Sequence, residues 1–156
     1  MSHAERLAAD LAMSVKLFKK TLETFDEDDS GFAPQPGLFT VAGHVAHAAG
    51  TVDWFVDGAF GEGWDMDFEG HLQEAHATMS LADGMTWLDH AYERAIEVIG
   101  SASDDELNAP IGDPRIMAGQ PCGAIVNGIA DHTAHHRGAL TVYARLLGKV
   151  PVMPYA

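Results

Sequence analysis

The chain has 156 residues, 47% of them apolar, and a formal charge of −14. That length suits one domain built on one core, and that apolar share excludes wholesale disorder. Nine Lys plus Arg stand against 23 Asp plus Glu, which excludes a net cationic surface of the kind that binds nucleic acid or anionic membranes. A small-molecule ligand, a metal or a protein partner remains.

No apolar run reaches the length needed to span a bilayer. The stretch from Met1 to Asp10 lacks the basic-then-apolar layout of a signal peptide, so a cytoplasmic protein is expected. Cys122 is the only cysteine. It cannot form an internal disulfide or a cysteine-rich zinc site, and it reads as a buried core thiol. The nine histidines are many for this length, and their placement carries the functional argument.

The first predicted helix runs from about Ser2 to Phe25. Ser2 and Glu5 have capping-box spacing, and Leu7, Leu11, Val15, Phe18, Leu22 and Phe25 recur at intervals of three and four. The acidic patch Asp26 to Asp29, followed by Gly31, Pro34 and Pro36, predicts a loop. A second helix is predicted from about Thr40 to Ala59. Val41, Val45, Ala48, Val52 and Phe55 form its apolar stripe, and much of the rest is Ala or Gly, which predicts deep burial. Phe60 to Ser80 is Gly-rich and acidic with weak periodicity, and reads as a long connection with room for one short helix.

The third long helix is predicted from about Leu81 to Ile99, with Met85, Leu88, Tyr92, Ala95, Ile96 and Ile99 on one face and Gly100 as its stop. Ser101 to Gln120, with Pro110 and Pro114, reads as irregular. Pro121 suits the first turn of a last helix that runs to about Leu147 and stops at Gly148. The expectation is a single all-α domain over residues 1–156, a four-helix bundle with long connections, whose handedness and helix order are not readable from pattern.

At 100° per residue, Ile125, Ile129, His132, His136, Leu140, Tyr143 and Leu147 form one seam on the last helix. His132 and His136 are therefore stacked one turn apart within a buried stripe, where both imidazoles could reach one ion. The competing reading is a pair of core histidines with separate hydrogen bonds, but burying two unpaired imidazoles one turn apart is costly. On the second helix Thr40, His44, His47, Thr51 and Trp54 form a narrow polar stripe that should face a cavity. His44 or His47 could supply a third nitrogen, and periodicity does not choose between them. His3, His71, His76, His90 and His135 read as surface residues, although a connection bearing His76 could close over a site.

Familiar alternatives fall away. Thr133 follows His132 where a zincin needs Glu. No histidine has Glu three positions before it, as a ferritin-like di-iron site requires. Three imidazoles are one donor short of a closed structural zinc site, and imidazole suits zinc, nickel, iron and copper.

The segment from Asp131 to Leu140, DHTAHHRGAL, resembles the C-terminal His-x-x-x-His-Arg-Gly motif of the DinB/YfiT-like superfamily. Thr40 to Ala49, TVAGHVAHAA, is similar to its second-helix motif, with Trp54 as the aromatic that often follows. Leu146 to Pro151 also resembles the family's C-termini. The resemblance implies an antiparallel four-helix bundle, commonly dimeric, with zinc or nickel held by His47, His132 and His136. It thereby favours His47 over His44, which is left with Thr51 and Trp54 as a pocket-lining candidate. It further implies a small-molecule substrate and, as in characterised relatives, a low-molecular-weight thiol as partner. The usual Gln after Arg-Gly is Ala139 here, and this departure leaves substrate choice open.

Two functions compete. One is a metal-dependent enzyme that activates a thiol or water, of the thiol S-transferase type, with a neighbouring imidazole moving protons. The other is a non-catalytic metal-binding stress or sensor protein. Asp53 and Asp131 are candidates only for orienting the metal ligands.

Overall fold

A computed structural model describes residues 1–155. Six helices follow one another: α1 (His3–Leu22), α2 (Val41–Phe60), α3 (Phe68–Ala77), α4 (Leu81–Ser101), α5 (Asp104–Asn108) and α6 (Ile125–Leu146). No strand occurs among the described residues, and none of their helices is long and apolar enough to cross a membrane.

Local sequence sets the helix ends. At α1, the Ser2 hydroxyl accepts from the Glu5 amide while the Glu5 carboxylate accepts from the Ser2 amide, a complete capping box. Thr40 caps α2 by accepting from the Gly43 amide, Asp67 caps α3, and Ser80 caps α4. α6 stops where Gly148 takes a left-handed φ of 74°, and the Lys149 amide then reaches back to the Ala144 carbonyl. Pro121 does not open α6 directly: a turn of 3₁₀ helix over Cys122–Ala124 comes first.

The four long helices form a ring in the order α1, α4, α2, α6. Their polarity follows from which residues meet. Ser14 and Lys19 of α1 meet Tyr92 and Asp89 of α4, so this pair is antiparallel. His44 of α2 meets His136 of α6, and Phe55 lies against Gly128, so this pair is antiparallel too. α2 and α4 run parallel, because Asp53 meets Trp87 and Asp57 meets Arg94. A parallel pair needs a connection that travels back along the bundle. Residues 61–80 make that return, and α3 forms on the way, packed on α2.

The core is built from these faces. Leu11, Phe18, Val41, Val45, Leu88, Ile99, Ile125, Ile129 and Leu140 are fully buried, each contributing about 1.5–3 kcal/mol of transfer free energy. Small residues set the α2–α4 spacing. A Cβ on Gly84 would stand 3.3 Å from Val45, and one on Gly50 would stand 3.2 Å from the Trp87 ring. α5 lies within the stretch expected to be irregular. Ser103 and Glu106 form a second complete capping box at its start, and that spacing is its signal in the sequence.

Candidate metal centre

Because α2 and α6 are antiparallel, histidines near the start of one meet histidines in the middle of the other. His47, His132 and His136 each offer a ring nitrogen, and these nitrogens all lie within 4.8 Å of one another. His132 Nε2 and His136 Nε2 are 3.2 Å apart. Nitrogens bound tetrahedrally to one ion at about 2.0–2.1 Å stand roughly 3.3 Å apart, so the observed separation fits a shared ligand position. The His47 ring centre is 5.1 Å from that of His132 and 5.0 Å from that of His136.

Electrostatics keep the set in its ligating form. Burial, then the neighbouring imidazoles, push His136 down to about 2. Burial, followed by the charges of His47 and His135, lowers His132 to about 4, and burial also lowers His47. All three are neutral donors at physiological pH, as a divalent ion requires. His132 Nδ1 is buried and has no hydrogen-bond partner among the described residues. A neutral all-imidazole set of this geometry fits zinc or another borderline divalent ion.

His44 stands behind this set. It is 7% exposed, burial lowers it to about 4, and its Nδ1 is 2.8 Å from His136 Nδ1. If His136 presents the Nε2 lone pair to an ion, its Nδ1 carries the proton and donates to His44 Nδ1, while His44 keeps its own proton on Nε2. His44 was expected on the pocket lining. It is instead a hydrogen-bond partner of His136, away from the cavity wall, because its position on α2 faces the α6 seam directly.

Phe39 covers the cluster. Its ring stacks on His47 at 4.9 Å and meets His44 edge-on at 5.5 Å. The Tyr143 hydroxyl of α6 donates to the Phe39 carbonyl at 3.0 Å and fixes the segment that carries it. Phe39 directly precedes the α2 cap and packs on the fourth helical residue, the pattern of a hydrophobic staple. His76 rests on the same ring at 4.6 Å, outside the cavity wall.

Beside the histidines lies a cavity of about 860 Å³ between α2, α3 and α6. His47, Thr51 and Trp54 line it from α2, and His132 and His135 from α6. His135 is exposed, yet its ring packs edge-on against His136 at 5.0 Å, so it belongs to the rim of the site. His71 of α3 also reaches the wall, with its Nε2 3.4 Å from Asp65 Oδ2. Sequence periodicity missed both, since α3 has a weak pattern and His135 leaves the seam. The most buried stripe of α6 also passes through Thr133, which leaves His132 at its edge, facing the cavity. Asp131 lies on that wall, and Asp53 accepts from the Trp87 ring N–H at 2.9 Å; neither carboxylate bonds a ligand histidine.

No curated protein matches the chain closely enough to count as a relative. A sequence model of the DinB superfamily matches residues 10–140, a stretch that contains α2 and the part of α6 that bears His132 and His136. The chain belongs to the DinB superfamily.

Proposed function

We propose that the protein is a divalent-metal-dependent enzyme that activates a low-molecular-weight thiol for transfer to an electrophile. One observation carries this reading: two members of a neutral three-imidazole set, His47 and His132, line a cavity large enough for a small organic reactant. Three donors are the number found in catalytic zinc sites, whereas structural sites are usually closed by four. A bound zinc or nickel ion would supply Lewis acidity, which lowers the pKa of a thiol or water brought to it.

The chain's own residues do the rest. His47, His132 and His136 hold the ion, and His44 holds His136 in its ligating tautomer. Phe39 excludes water from one side, and the rings of Trp54 and Phe68 give the reactants an apolar surface. His71 and His135 put two more imidazoles on the wall as carriers for the thiol proton. In the transfer a carbon–sulfur bond forms, the proton passes to solvent, and the leaving group departs with the electron pair of the broken bond. Cys122 is not the sulfur source: it is 8% exposed, and burial raises its thiol above the usual range.

The test begins with metal analysis of protein purified without added metal, followed by a screen of glutathione, bacillithiol, mycothiol and cysteine against a panel of electrophiles. Turnover that requires both the ion and one thiol, and is lost in His136→Ala, supports the enzyme. If saturating metal gives no thiol-dependent turnover, and no thiol perturbs the spectrum of cobalt-substituted protein, the non-catalytic metal-binding reading replaces it.

A further inference from the structure

The cavity wall carries an unequal set of charges. Asp53, Asp57, Asp65, Glu74 and Asp131 line it, and no Lys or Arg does. Arg94, behind the wall, pairs with Asp53 and Asp57. Asp65 pairs with no Lys or Arg: its carboxylate accepts from the Asp67 amide at 2.9 Å and has the His71 ring beside it. Glu74 and Asp131 form no ion pair among the described residues. Arg94 and a divalent ion together do not balance five carboxylates. Low-dielectric walls concentrate such a field inside a cleft.

The neutral part of the wall points the same way. Trp54, Phe55, Phe68 and Trp87 contribute aromatic rings, whose faces are the negative poles of their quadrupoles. The two indole N–H groups, which could have received an anion, are already committed. Trp54 donates to the Asp65 carbonyl at 2.6 Å, and Trp87 donates to the Asp53 carboxylate at 2.9 Å. An anionic ligand would therefore meet carboxylates and ring faces, whereas an ammonium group would find carboxylate acceptors on the wall.

We propose that the reactant filling this cavity is an amine-bearing apolar molecule, its ammonium at Asp65, Glu74 and Asp131 and its apolar body on the rings of Trp54 and Phe68. The inference rests on the cavity being the reactant site of the proposed enzyme, but not on the metal's chemistry. It makes multiply anionic reactants the disfavoured class.

The test uses three probes that share one phenyl-alkyl body: 2-phenylethylamine, 2-phenylethanol and 3-phenylpropanoate. Each is titrated into the full chain, metal-stripped and zinc-loaded, with tryptophan fluorescence and calorimetry as readouts. The amine should bind about fivefold more tightly than the alcohol and at least about tenfold more tightly than the carboxylate, a preference that shrinks in high salt. The double variant Glu74→Gln/Asp131→Asn should reduce the amine's advantage to about twofold or less and leave the alcohol's affinity unchanged. Equal affinities for all three probes, a preference for the carboxylate, or a preference that survives the double variant would overturn the proposal. The two readings fail separately. Charge preference in metal-stripped protein stands even where no thiol turnover is found, and thiol turnover with uncharged selectivity removes this inference while leaving the enzyme.

Discussion

His44 Nδ1 and His136 Nδ1 lie 2.8 Å apart in the buried seam between α2 and α6, so the imidazole that would grip a metal is itself gripped by a second imidazole. An acceptor at this point decides which nitrogen of His136 is free. His44→Ala should weaken zinc binding by about 10- to 100-fold, the usual cost of losing such a partner. His44→Gln can place an amide oxygen where the ring nitrogen was, and should recover much of that loss. Competition titration against a chelating dye measures both. An unchanged affinity in His44→Ala, with the variant folded by circular dichroism, would remove the positioning role.

The ligand set makes a sharper demand. Purified protein should hold about one divalent ion per chain, as one three-imidazole site requires. His132→Ala and His136→Ala should each abolish it. His135→Ala should retain it, because that ring faces the rim and offers no nitrogen to the cluster. Comparable losses in all three would show that a histidine outside the cluster is a ligand.

The long helices were legible because their signals are local and redundant. Capping pairs such as Ser2 and Glu5, apolar residues every third or fourth position, and stops at Gly148 are all written in neighbouring residues. The stacking of His132 and His136 is of the same kind, since one helix fixes both. What α2 brings to them is different. His44 and His47 are three residues apart on one helix, and only the docking of α2 on α6 separates a partner on the seam from a side chain facing the cavity. His71 reaches the cavity wall, and Tyr143 reaches the Phe39 carbonyl, through contacts between residues far apart in the chain, which no local period records. α3 has few apolar residues of its own and is held by packing on α2, so its pattern is weak.

The buried imidazoles also set a pH dependence in metal-free protein. An unfolded histidine titrates near 6.5, whereas His44 and His132 are lowered to about 4 and His136 to about 2. Between these values the unfolded chain takes up protons that the folded chain refuses, so stability is full above pH 6.5 and declines as pH falls below it. From pH 6.5 to 5.5 each of the three rings should cost about 1 kcal/mol, about 3 kcal/mol together, read from urea midpoints after chelation. His132→Ala/His136→Ala should flatten the slope. A wild-type profile that is flat over that window would show that these rings do not stay neutral in the fold.

Tyr92 supplies the last prediction, at a point where three helices meet. The residue is 1% exposed. Its hydroxyl on α4 lies 2.7 Å from Thr133 Oγ1 on α6 and 3.2 Å from Ser14 Oγ on α1. Thr133 is itself buried between the two ligand histidines in sequence, yet on the core side of α6. Tyr92→Phe keeps the ring and its packing but deprives the Thr133 hydroxyl of its partner, so it should cost about 1–3 kcal/mol. Thr133→Val removes the other end of the same hydrogen bond and should cost a similar amount. The double variant leaves fewer buried hydroxyls unmatched, so its loss should be smaller than the sum of the two. Zinc affinity should change by no more than about twofold in Tyr92→Phe, because the hydroxyl contacts no ligand ring. Urea denaturation of the four proteins gives the coupling directly. Strictly additive losses would mean that Tyr92 and Thr133 do not share a hydrogen bond, and a large fall in zinc affinity would mean that this polar junction positions the metal ligands as well as the helices.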